Sequence, residues 1–477
     1  MSKHLKETLR RERYPRPWEG VQIALFFTVL GALAVVGLIL PLRPTYSEEE
    51  KRELAKFPTF SVEALVSGSY FDDITTWYAD TFPFREQWVS ADGIWEQCLG
   101  LSFTRIHGEV EAGDEIPDAP VATLPSYTTT TTTTVTTTTT ETTVPTTTET
   151  TAATTTTTTV ATTVTTTTTA PPMVEVETED GILMTQKFDA VLQVGDAAFE
   201  YYNFKQSVAD RYATMVTHTA KLMDGKARVW TLIPPNSMGV MLPDGMRNKV
   251  NTSDQGKASN YIISKLGGGA VGVPIYEVLR SHRDEYIYFR TDHHWTATGA
   301  YYAYEQLMLA MGKTPAALDS FKTKELSPFL GTFYYDTGKS TALGSNPDTI
   351  VAYLPKGDAK LTFINQKGKT VSWPIVSNTN KYWCFIGGDN PYSVIKNASL
   401  TDGSACVVIK ESYGNAFVPF LVDHYQTVHV IDYRYYAPSL SEFVAENPVQ
   451  DIIFVNNISV TRSSNSVGLL EEFVGCD

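Results

Sequence analysis

A series of short apolar runs, each closing on polar residues, restricts what this chain can fold into. Arg228-Val-Trp-Thr-Leu-Ile233 leads to Pro234-Pro235-Asn236, Cys406-Val-Val-Ile409 to Lys410-Glu411-Ser412, Val428-His-Val-Ile431 to Asp432-Tyr-Arg434, and Ile452-Ile-Phe-Val455 to Asn456-Asn457. Val191-Leu-Gln-Val194, before Gly195-Asp196, reads as a strand or an amphipathic segment. Helical stretches such as Val208 to Met223 fall between several of these runs. Short β runs alternating with helices imply an α/β fold with a mainly parallel sheet and helices on both faces.

One connection in that series carries unusual chemistry. Tyr286-Ile-Tyr-Phe-Arg290 alternates in the manner of a strand. After it, Tyr301, Tyr304, Leu307, Met308 and Met311 recur at helical spacing, with Thr296 or Thr298 as N-cap. Asp292, His293, His294 and Trp295 therefore sit between strand and helix, where open α/β sheets collect ligands and catalytic groups. A carboxylate beside an imidazole fixes its tautomer and raises its basicity. The partner such a pair needs is Ser412, on a turn after a strand, where an Oγ is exposed and the next backbone N–H groups can hold an oxyanion. Lys410 stands where the first glycine of a G-x-S-x-G elbow belongs, and Ser412 reads equally as a helix N-cap. The order Asp…His…Ser suits a triad, which is defined by geometry; either His294 or His293 could be the base. A metal site is the competing reading, with Asp292, His293, His294 and His282 as ligand types. Adjacent histidines rarely reach one ion together, and the chain has no HExxH pair, so no metal is assigned. The bland alternative is a His-Trp cluster bracing a helix start.

The rest of the chain sets the compartment. Residues 1–20 are polar and basic, and Val21 to Leu42 is an uncharged apolar run long enough to span a bilayer. The basic flank places the N-terminus in the cytoplasm and everything after Arg43 outside. Leu40-Pro41-Leu42-Arg43-Pro44 is a poor cleavage site for a signal peptide. Residues 43–126 read as amphipathic helices packing on the main domain, one of them starting at Ser47. Residues 127–172, almost pure threonine, have no apolar face to offset the cost of ordering, and read as a disordered linker or insertion. Residues 173–477 form the main α/β domain. A formal net charge of -15 argues against nucleic acid. Of the four cysteines (Cys98, Cys384, Cys406 and Cys476), Cys384 and Cys406 lie in apolar runs and read as buried, inert thiols.

Tyr-Phe-Arg-Thr-Asp292-His293-His294-Trp295-Thr resembles the motif that names the DHHW family, and is similar to the Asp-x-His-Trp signature of the alginate O-acetylation proteins with SGNH-hydrolase-like domains. The resemblance extends to Glu49…Arg52-Glu-Leu-Ala55, Asp80-Thr-Phe-Pro-Phe-Arg85, Ile233-Pro-Pro-Asn236, Phe385-Ile-Gly-Gly388-Asp and Lys410-Glu-Ser412-Tyr413-Gly-Asn415. It implies a flavodoxin-like three-layer sandwich and a triad of Asp292, His294 and Ser412, with His293 as the alternative base. Oxyanion or substrate contacts fall on Tyr413, Asn415, Asn236, Gly388 and Trp295. It also implies O-acetyl transfer to, or removal from, an extracellular polysaccharide, beside a membrane-bound O-acyltransferase that supplies acyl groups, with no cofactor. Trp295, Tyr335, Tyr392, Tyr435 and Tyr436 are candidate sugar platforms. Two departures stand out. Gly195-Asp196 is followed by Ala197, so the Gly-Asp-Ser block of SGNH enzymes is absent there, and the x of Asp-x-His-Trp is itself His293. A non-catalytic polysaccharide-binding protein of the same fold is the second reading, and a metal-dependent hydrolase the third.

Overall fold

The computed structural model describes residues 43–47, 52–61, 65, 69–83, 104–125 and 190–476, apart from 248 and 366, together with 21, 24–29 and 31. The basic tail, most of the apolar run 21–42, the threonine-rich stretch 127–172 and Cys98 lie outside the described residues. Among the described residues no helix is long and apolar enough to cross a membrane. The chain divides into two units, 1–103 with 340–342, and 104–339 with 343–477.

In the first unit a helix spans Ser69–Asp80. The Arg43 guanidinium lies 3.9 Å from the Trp77 ring centre. The helix expected to start at Ser47 is replaced by a hairpin: Tyr46–Ser47 pairs antiparallel with Arg52–Glu53. The return strand carries Leu54 into a buried position, its amide bonded to Thr45 O at 3.0 Å.

The second unit is a mixed α/β fold around an eight-stranded sheet. Its strands are β1 (Arg228–Leu232), β2 (Val271–Val273), β3 (Ala359–Ile364), β4 (Thr370–Trp373), β5 (Tyr392–Asn397), β6 (Ala405–Lys410), β7 (Thr427–Asp432) and β8 (Asp451–Val455). They lie in the order β4-β3-β5-β7-β6-β8-β1-β2. From β7 to β2 the neighbours are parallel; β5, β3 and β4 join antiparallel at the β7 edge. The sheet is thus mixed, with four of its seven neighbouring pairs parallel and three antiparallel. Residues 365–369, the link between β3 and β4, are long enough for a hairpin but not for the crossover a parallel pair needs.

Every residue of β6 and β8 is buried, as strands covered on both faces must be. Cys406, Val408, Ile453, Val455 and Trp230 face the core that holds helix α2 (Ala297–Ala310). Val407, Ile409, Ile452, Phe454 and Val229 face the core that holds helix α1 (Gln206–Leu222). Cys384 and Cys406 are buried free thiols, and burial pushes both up, Cys384 to about 12. Val191–Val194 lies in a strand, Ala190–Val194, which pairs antiparallel with Thr104–Gly108 and with Ala197–Glu200. The segment before Asp292 is not a strand. It folds back on the residues after it through one isolated bridge, Tyr288 with Trp295.

Candidate active site

That fold-back shapes the motif loop. The Phe289 amide donates to His294 O at 3.3 Å, and the Thr296 amide to Ile287 O at 2.9 Å, so residues 287–296 close on themselves. Thr296 then caps α2, its hydroxyl accepting from the Gly299 amide. Asp348, fully buried, clamps the loop from outside: its Oδ2 accepts from the Thr291 amide at 2.7 Å and hydroxyl at 2.6 Å. Opposite stands Ser412, one residue beyond Glu411 at the carboxyl end of β6. The polar residues that close β1, β7 and β8 lie at the same edge of the parallel strands, where α/β sheets place their sites.

The two elements meet in a continuous hydrogen-bonded chain. His294 Nδ1 is 2.5 Å from Asp292 Oδ1, and His294 Nε2 is 2.7 Å from Ser412 Oγ. An ionised carboxylate only accepts, so Nδ1 carries the hydrogen and Nε2 is left to accept from the serine. The His294 amide also donates to Asp292 Oδ1 at 2.9 Å, and the Tyr382 ring stacks on the imidazole at 3.7 Å. All three members are buried, with Ser412 8% exposed. Burial alone would raise the Asp292 carboxyl. The two imidazoles and the bonds from His294 and Thr332 outweigh it and hold it well below the usual carboxylate range.

His293 points elsewhere. Its Nδ1 lies 2.7 Å from the Thr332 hydroxyl, and its ring sits beside that of His294, centres 3.7 Å apart. Burial, then the neighbouring imidazole, lowers it to about 3 against the pull of Asp292. Asp292, His293 and His294 do bring ligand-type atoms within 4.8 Å of one another. Both nitrogens of His294 are, however, directed at Asp292 and Ser412.

The remaining sequence candidates divide. The Tyr413 amide donates to Glu411 Oε2 at 3.1 Å, and the Asn415 side-chain amide to Asp389 Oδ1 at 2.9 Å. Among the described residues the Ser412 amide donates to no acceptor. Asn236 is fully buried and spent on structure: it caps the short helix Ser237–Val240 and donates to Glu200 O at 3.0 Å. Gly388 holds a left-handed backbone (φ 86°) immediately before Asp389. Trp295 is fully buried and donates to Tyr413 O at 3.0 Å, so it braces the Ser412 turn and has no face open to a sugar. Tyr392 and Tyr436 pack against Phe443, whereas Tyr335 is exposed. The sequence assigns no role to Thr332, Tyr382, Glu411 or the charge cluster of Lys410, Asp389, Asp432 and Arg434. Position at the end of an apolar run was the available signal for Glu411, Lys410, Asp432 and Arg434; Thr332 and Tyr382 carried none.

The family described as DHHW protein matches residues 50–431, a span that includes both the motif loop and Ser412. The chain belongs to the DHHW protein family. Two solved structures share the fold of this DHHW protein. A DHHW family protein from Eubacterium siraeum DSM 15702 is 25% identical with a TM-score of 0.55, over 62% of this chain and 98% of that one. Bacillus cereus PatB1, in a structure with a sulfonyl adduct, is 18% identical with a TM-score of 0.50, over 60% of this chain and 98% of that one. No curated protein sequence matches the chain.

Proposed function

We propose that this DHHW protein is a membrane-anchored, extracytoplasmic O-acetyltransferase or acetylesterase of SGNH-like type, acting on a cell-surface polysaccharide. Its nucleophile is Ser412, its general base His294, and Asp292 orients the imidazole. The observation that carries the reading is the bridging of Asp292 Oδ1 and Ser412 Oγ by one buried imidazole, at 2.5 and 2.7 Å. Ser412 Oγ attacks the acyl carbonyl while its proton passes to His294 Nε2, and the tetrahedral oxyanion faces the Ser412 amide. Collapse expels the donor's oxygen with the proton from Nε2 and leaves an acyl-serine. A sugar hydroxyl, or water, then attacks that ester with His294 again as base. The sulfonyl adduct in the PatB1 structure supports the reading, because sulfonyl electrophiles react with activated nucleophilic side chains. Val21 to Leu42 serves as the membrane anchor, and a membrane-bound O-acyltransferase supplies the acyl group.

The test is turnover of an aryl acetate by the full chain in detergent, with Ser412→Ala and His294→Ala alongside. Each variant is expected to lose roughly a thousandfold or more. Activity unchanged in Ser412→Ala sinks the serine mechanism. Glycan binding without any turnover by the wild type supports the binding-protein reading instead.

A further inference from the structure

Glu411 directly precedes Ser412, is buried, and has no part in the steps above. Its Oε2 lies 3.2 Å from Ser412 Oγ and 3.1 Å from the Tyr413 amide, and its Oε1 lies 2.9 Å from the Asn457 amide. Counting hydrogens shows what this requires. Ser412 Oγ has one hydrogen, and a neutral His294 with its Nδ1–H turned to Asp292 takes that hydrogen at Nε2. The contact between Oγ and Oε2 then contains no hydrogen unless Glu411 brings one.

We propose that Glu411 is a positioning residue that carries a proton in the resting protein and donates it, from Oε2, in a hydrogen bond to Ser412 Oγ. The serine's own hydrogen is thereby turned toward His294 Nε2. This rests on Ser412 being the nucleophile. Each contact then contains one hydrogen: Oε2–H donates to the serine, Oε2 also accepts from the Tyr413 amide, and Oε1 accepts from the Asn457 amide. Ionised Glu411 has the opposite effect. Oε2 becomes a second acceptor, draws the serine hydrogen away from His294, and places a negative charge where the oxyanion develops. No bond to Glu411 forms or breaks during acyl transfer.

The surroundings favour the neutral acid. Burial raises the Glu411 carboxyl, and it outweighs the Arg434 guanidinium, the two amides and His294, which pull the other way. The other titratable groups facing it are the phenols of Tyr212, Tyr382, Tyr413 and Tyr433.

The experiment measures the rate at which phenylmethanesulfonyl fluoride modifies Ser412 in the full chain, across pH, for wild type, Glu411→Gln and Glu411→Ala. The wild-type rate is expected to fall on the alkaline side as Glu411 ionises. Both variants are expected to lose the falling limb; Glu411→Gln, whose amide keeps a donor beside Ser412 Oγ, holds its rate at the optimum, whereas Glu411→Ala loses roughly tenfold there, the worth of one hydrogen bond. A purely structural Glu411 would change the rate and leave the shape. A falling limb that persists in either variant overturns the proposal. If neither variant folds, the wild type decides alone: modification that rises to a plateau and stays there overturns it. No modification of Ser412 at any pH overturns the serine mechanism itself.

Discussion

Thr332 reaches back forty residues to Asp292 and gives one carboxylate oxygen two donors, its amide at 2.9 Å and its hydroxyl at 3.3 Å from Oδ2. That leaves Oδ1 to His294. The same hydroxyl lies 2.7 Å from His293 Nδ1, so one threonine holds both the acid and the second histidine of the motif. Thr332→Val keeps the shape and the amide bond but removes the hydroxyl. Aryl-acetate turnover is expected to fall about tenfold, with stability reduced by about 1 kcal/mol, the usual worth of a buried hydrogen bond. Steady-state kinetics and urea unfolding on the same preparation separate the two effects. Turnover that tracks stability alone would deny Thr332 a role in orienting Asp292.

Gly331 supports the same carboxylate by having no side chain. A Cβ there would overlap the Asp292 Cβ and Oδ2. Because the obstacle is a buried carboxylate held on both oxygens, it has nowhere to go, and Gly331→Ala must displace Asp292 or the Thr332 amide. The expected outcome is a loss of turnover of a hundredfold or so, in line with a misplacement of about 1 Å in an active site. Circular dichroism should show a folded protein. Full activity in Gly331→Ala would mean that the triad tolerates that shift.

Much of this architecture could be read from residue order, and the failures have physical causes. The runs around Val407, Val430 and Ile453 became parallel strands because they are short, apolar and separated by helix-length segments. Asp292, His294 and Ser412 stood out because each is polar beside an apolar run, though only three-dimensional pairing could tell His294 from His293. Tyr286 to Arg290 alternates like a strand but bonds to its own continuation, since Tyr288 finds Trp295 within the same loop. Trp295 reads as a sugar platform from its type, whereas its indole N–H is needed by Tyr413 O. Thr332 acts across a gap of forty residues, which local pattern does not record.

His293 makes stability depend on pH on the acid side. Folded, it is lowered to about 3 from an ordinary 6.5, so between those values the unfolded chain binds the proton and the folded one does not. Stability is therefore fully present above the unfolded value and is lost as pH falls from about 6.5 toward 3. The total is on the order of a few kcal/mol for one buried imidazole. His293→Gln removes the titrating group and keeps an amide near the Thr332 hydroxyl. Urea unfolding at pH 7 and at pH 4.5 is expected to show wild type losing more stability than the variant. Equal losses would mean that His293 is already protonated in the folded state.

Next to Ser412 in sequence, Lys410 belongs to a cluster of two cations and two anions, in which Lys410 and Asp432 are buried and Asp389 and Arg434 are partly exposed. Lys410 Nζ is 2.8 Å from Asp389 Oδ1 and 3.2 Å from Asp432 Oδ2, and Arg434 Nη2 is 2.8 Å from Asp389 Oδ2 and 2.7 Å from Asp432 Oδ2. Lys410 is 1% exposed, and its Cβ presses on Gly414, where an added Cβ would come within 2.6 Å. The strand end that leads to Ser412 is thus locked by charge on one side and by close packing on the other. Burial alone would raise the Asp389 carboxyl; Lys410 and then Arg434 outweigh it and keep it well below the usual range. Lys410→Met keeps the stem and removes the charge, leaving the buried Asp432 and the partly exposed Asp389 to share one guanidinium. Breaking a buried pair this way costs about 3–5 kcal/mol, because an uncompensated charge remains. The loss is expected to shrink as pH falls from 7 to 5, since Asp389 holds its proton more tightly once the ammonium is gone and protonation removes the excess charge. Lys410→Met combined with Asp389→Asn, one cation against one anion, should recover part of the loss at pH 7. Urea unfolding of the three proteins at both pH values measures each term. If the single variant loses under about 1 kcal/mol, the cluster is not what holds the Ser412 turn in place.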